Sequence, residues 1–73
     1  MPSKYPTCTP YEVCAVLKKA GFRLIKQKGS HAKYSDGIRV VVVPMHKKDL
    51  KIGTLIGILE QSDIPLDKFV ELL

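Results

Sequence analysis

Residues 30–43 read SHAKYSDGIRVVVV, and the fold turns on how this stretch is read. Two extended segments flank the dipeptide Asp36-Gly37. The second, Ile38 to Val43, is nearly all β-branched, the composition that packs best on a pleated surface. In the first, Ser30, Ala32 and Tyr34 alternate with His31, Lys33 and Ser35, a period of two. Asp-Gly between extended segments favours a two-residue type I′ hairpin turn. The stretch therefore predicts strands over 30–35 and 38–43, the latter ended by Pro44.

Upstream, FRLIKQ (22–27) predicts a further strand, joined to the next by Lys28-Gly29. Phe22, Leu24 and Lys26 are expected on one face, and Arg23, Ile25 and Gln27 on the other. Before it, TPYE carries a helix start: Thr9 as N-cap, Pro10 in the first turn, and Glu12 placed to close a capping box. Val13, Val16, Leu17 and Ala20 recur at helical spacing, and Gly21 supplies a stop, so a helix is expected over about 10–20. Downstream, residues 45–53 read as a basic loop. TLIGILEQ (54–61) predicts a second helix with Thr54 as N-cap, and PLDKFVELL (65–73) a short third one.

The expected fold is α+β. An α-β-β-β-α order builds a three-stranded antiparallel sheet, two helices cover one face, and a short helix follows. A sheet this small buries one side only, so any site belongs on the open face. The 73 residues are expected to form one domain over 1–73, opening with a short tail over 1–8. A chain this short buries only about 60% of its unfolded surface, which leaves no room for a deep cleft.

Charge is unevenly placed. The chain has 12 Lys and Arg against 7 Asp and Glu, a net charge of +5. Residues 18–51 hold ten of the basic residues and two acids, whereas 52–73 hold one lysine and four acids. A basic middle suits a polyanion such as RNA, although ordinary solubilising charge looks the same from composition alone. Cys8 and Cys14 lack ligand spacing and a second Cys or His pair, so they read as free thiols and no metal is expected. The segment MPSKYPTCTP has no apolar signal core, and no apolar run approaches the length of a membrane span. A cytoplasmic protein with no membrane partner and no small-molecule cofactor is expected.

Alternation puts His31 and Lys33 on the open face, opposite Ala32 and Tyr34. Imidazole exchanges protons near neutral pH, and ammonium groups bind phosphate and offset developing charge. In kind, these groups suffice for attack of an RNA 2′-hydroxyl on the adjacent phosphodiester. A polar histidine on a wet strand is the plainer reading. His46, beside Lys47 and Lys48, is a second candidate: as general acid, as phosphate ligand, or as a solvated loop residue. Ser30 could meet a phosphate or satisfy the turn's backbone. Lys26 and Lys28 complete the candidate RNA-binding set. There is no nucleophile elbow, no phosphate loop, and no aromatic row of the kind that stacks single-stranded bases.

Three motifs in order, G-F-x-x-x-x-Q-K-G-S-H (21–31), V-P-M-H (43–46) and K-x-G-T-L-x-x-I-L (51–59), resemble the HicA, or YcfA-like, toxins of prokaryotic type II toxin–antitoxin systems. The resemblance runs from about Tyr11 to the C-terminus. It implies a fold like a double-stranded-RNA-binding domain and ribosome-independent cleavage of mRNA, with His31 as the essential histidine; on the chemistry of these groups the cleavage is expected to need no metal. It also implies a HicB-type antitoxin that covers the active surface. Ala32 stands where many members carry a histidine or bulky polar residue, and Lys26 where an arginine often precedes the motif. The alternative is a non-catalytic RNA-binding module on the same fold, which needs the cations but no proton carrier. A protein-binding domain is a third reading, and it predicts no salt-dependent RNA affinity.

Overall fold

Residues 5–73 are described by the structure, a computed structural model. The first four residues of the expected N-terminal tail lie outside the described residues.

Helix α1 spans Pro10–Lys19. The Thr9 side chain accepts from the Glu12 N–H, and the Glu12 carboxylate accepts from the Thr9 N–H at 2.8 Å, a complete capping box. Gly21 follows with φ +96, the left-handed geometry a helix stop uses. Three strands come next: β1 (Arg23–Lys28), β2 (His31–Ser35) and β3 (Val40–Pro44). They form an antiparallel sheet in the order β1-β2-β3. Helix α2 (Ile52–Ser62) and helix α3 (Leu66–Leu72) complete the α-β-β-β-α-α order.

The core lies between the sheet and the helices. Ala32, Tyr34, Val41 and Val43 supply the sheet side; Val13, Val16, Leu17, Leu55, Ile58 and Phe69 supply the helix side. Both α1 and α2 pack on β3, and α3 packs on α1. A hydrogen bond from Lys19 Nζ to the Leu72 carbonyl, at 2.8 Å, ties the ends of those last two helices. Cys8 and Cys14 are free and buried, and the Cys8 carbonyl accepts from the Leu50 N–H. Burial, with Glu12 and Asp49 adding their charge, pushes the Cys8 thiol up.

Strand β1 lies at the sheet edge, away from the helices, and every one of its residues is exposed. That corrects the expected face assignment. Leu24 pairs with Tyr34, but Lys26 pairs with Lys33, so a bulge at Ile25 breaks the alternation. Lys26 is thereby carried to the face opposite Leu24. Arg23, opposite Ser35, and Gln27, opposite Ala32, likewise fall on different faces.

The β2–β3 connection also departs from expectation. Ser35 pairs with Val40, which makes a four-residue loop rather than a two-residue turn. The Asp36 side chain is the cause. Its Oδ1 accepts from the amides of Ile38 (2.9 Å) and Arg39 (2.7 Å), holding both out of the ladder. Those two bonds, with the Arg39 charge nearby, hold the Asp36 carboxyl below its ordinary range. Arg39 then reaches Asp63 at 3.1 Å, joining this loop to the end of α2.

Helix α2 starts two residues earlier than expected. Lys51, in extended geometry, is its N-cap and makes no side-chain capping bond; Thr54 lies within the helix. The bond from Leu50 to Cys8 fixes the chain just before the helix, so its start is set by tertiary contact rather than by the best capping residue.

Candidate functional site

The turn between β1 and β2 consists of Gly29 and Ser30, since Lys28 pairs with His31. Gly29 has φ +56, which a tight hairpin turn needs at its first central position. The Ser30 carbonyl accepts from the Met45 N–H, so this turn is also tied to the chain leaving β3. Antiparallel partners present their side chains on the same face. His31 therefore stands beside Lys28 on one side and Pro44 on the other, with Lys33 two residues along its own strand.

On the open face, Lys26, Lys28, His31, Lys33 and Val42 line a shallow basin of about 280 Å³. Three ammonium groups and one imidazole meet there with no carboxylate. Val42 and its neighbour on this face, Val40, are exposed and give the basin an apolar border. A nucleobase has a flat apolar face and an RNA strand carries a charge at every phosphate, so both halves of the surface match that chemistry.

A second hollow, of about 560 Å³, opens where β3 leads into α2. Pro44, His46, Lys47, Lys48, Lys51 and Thr54 line it, with Asp49 as the one carboxylate. Six of the ten basic residues in 18–51 thus face the two hollows. The others are placed elsewhere: Lys18 and Lys19 on α1, Arg39 in its ion pairs, and Arg23 outside either basin.

The structure therefore groups Lys26, Lys28, His31 and Lys33, and separately groups His46, Lys47 and Lys48. Ser30 lines neither hollow; its carbonyl serves the backbone. Sequence reasoning missed Val42, Lys51 and Thr54. Strict alternation along β3 would have placed Val42 beside Lys33, whereas Lys51 and Thr54 depended on the true start of α2.

Beneath the site, a chain of polar contacts fixes its framework. The Cys14 thiol on α1 donates to the Met45 sulfur at 3.7 Å. Tyr34, buried and hydrogen-bonded to Cys14, has its phenol pushed up to about 12, first by burial and then by that bond. These contacts hold β2 and the Pro44–His46 segment against α1. Among the described residues, no helix is long and apolar enough to cross a membrane, and no group of three or more His, Cys, Asp or Glu is placed to hold a metal ion.

Residues 11–64 match a family model described as "HicA toxin of bacterial toxin-antitoxin". No curated protein matches the chain.

Proposed function

We propose that this chain, which belongs to the HicA toxin family of bacterial toxin–antitoxin systems, is an mRNA endoribonuclease that works without a metal and is inhibited by a HicB-type antitoxin. Membership of a toxin–antitoxin family itself implies an antitoxin partner. The observation that carries the catalytic reading is His31, exposed on the open face among Lys26, Lys28 and Lys33.

In this reading the phosphodiester lies over the basin, with a base against Val42. Neutral His31 takes the proton from the 2′-hydroxyl, whose oxygen attacks the adjacent phosphorus. The lysines offset the charge that grows on the phosphorane oxygens. The bond from phosphorus to the 5′-oxygen breaks, and that oxygen takes a proton from His46 or from water. The products are a 2′,3′-cyclic phosphate and a 5′-hydroxyl end. No covalent enzyme intermediate forms, which fits a site with no activated side-chain nucleophile.

The decisive experiment is paired induction of wild type and His31→Ala from a tight promoter, following growth and a defined mRNA. Arrest and mRNA loss with wild type alone are expected. Normal growth and intact mRNA with both, at equal levels of folded protein, would remove the catalytic reading and leave the RNA-binding module.

A further inference from the structure

We propose that the hollow between β3 and α2 is a second phosphate site, which holds the RNA phosphate next to the scissile one. This rests on the ribonuclease reading and adds Lys51 to the residues that position its substrate. The hollow gathers Lys47, Lys48 and Lys51 with His46 against a single carboxylate, Asp49, so its balance favours an anion. It is also roughly twice the size of the basin around His31, which gives it room for more than a lone ion.

Its position is the stronger reason. Pro44 forms part of its wall and is also the direct cross-strand partner of His31. Antiparallel partners have Cα atoms about 5 Å apart. Adjacent strand positions therefore border the two hollows, as neighbouring phosphates of one strand require. His31 therefore lines one cationic hollow and is paired across the ladder with Pro44, which lines the other. A mononucleotide could use one hollow, whereas a strand can use both. The opening of α2 adds to this, since its first turn has no acidic residue and Lys51 offers no capping oxygen.

The substrate footprint then has two parts. The His31 basin holds the phosphate that reacts. The second hollow holds its neighbour and keeps the strand in line, so its lysines act on substrate affinity rather than on the chemical step.

The test uses the full chain and RNA that cannot be cut. A 2′-O-methyl oligonucleotide of about eight residues, and a 2′-O-methyl dinucleotide with a single phosphate, would be titrated with wild type and with Lys48→Ala/Lys51→Ala across a range of salt. The double variant should bind the longer strand more weakly, with a salt slope shallower by about 0.7, as expected for one lost phosphate contact. Its affinity for the dinucleotide should be unchanged. Lys48→Arg/Lys51→Arg should restore the slope, which separates lost charge from lost structure. An unchanged slope, equal losses on both ligands, or no binding by wild type would each overturn the proposal. An unchanged slope would also leave the lysines free for an acidic face of the antitoxin. Two-site binding by a wild type that leaves unprotected mRNA uncut would instead defeat the ribonuclease reading and keep the second site.

Discussion

Lys26 and Lys33 stand directly opposite each other across the β1–β2 ladder, on the face that is open to solvent. Like charges in that relationship destabilise a sheet, by roughly 0.2–1 kcal/mol. No carboxylate lines the basin they share. A bound polyanion would relieve the repulsion, so the pair sets stability against binding.

Lys33→Gln is accordingly expected to raise the urea midpoint at low salt while weakening RNA binding. Screening shortens to about 3 Å at 1 M salt, so the gain should shrink there. Urea unfolding at the two salt levels measures it. Equal destabilisation at both would show that Lys33 contributes packing and no repulsion.

Purified His31→Ala is expected to bind 2′-O-methyl RNA as wild type does and to cut unprotected RNA at least about a hundredfold more slowly, the usual scale for a lost general base. End analysis of the wild-type products should find 2′,3′-cyclic phosphates. A 3′-hydroxyl with a 5′-phosphate would mean that water attacks instead, and His31 would lose the role given to it.

At Gly29 an added Cβ meets nothing within 4 Å, so any cost of substitution comes from the backbone. Gly29→Ala should destabilise by about 1–2 kcal/mol, and Gly29→Asn by less, because asparagine tolerates φ near +56 better. Chemical denaturation of the two variants checks the order. Equal stability of Ala and wild type would mean that the turn adopts another geometry.

The alkaline limb of the stability curve should belong in part to Tyr34. Its phenol ionises at about 12 when folded, against the ordinary value of 10.0. As pH rises the unfolded chain gives up this proton first. The contribution is therefore whole below the ordinary value and is lost between there and about 12. Tyr34→Phe should flatten that part of a melting-temperature profile. Parallel profiles for the two proteins would place the alkaline loss in other groups.

The elements legible in the sequence were those with local causes. Thr9 and Glu12 announce α1, and the β-branched run announces β3. Alternation in β2 was enough to put His31 and Lys33 on the open face with Ala32 and Tyr34 beneath. What could not be read depended on partners distant in sequence, or on competition between two local rules. Asp36-Gly37 has the composition of a tight turn, yet the Asp36 carboxylate captures two amides and widens the loop. The bulge in β1 falls at an isoleucine, with no glycine to mark it. The start of α2 follows from a bond to Cys8, some forty residues earlier. For the same reason the second hollow is only half visible in the sequence: Lys47 and Lys48 read as cations of one loop, whereas the place of Lys51 beside them follows from where α2 starts.

The bulge at Ile25 also has a genetic consequence. Ile25 is the residue by which β1 exceeds its partner strand, so losing its codon in frame would restore one-for-one pairing and leave Lys26 opposite Lys33. Losing the codon for Gln27, with the Gly29-Ser30 turn kept, would bring Lys26 opposite Ala32 and take its ammonium group off the open face. Two three-base deletions, six bases apart, would thus have opposite effects: one should pass unnoticed in a growth screen, and the other should weaken the toxin without touching its histidine.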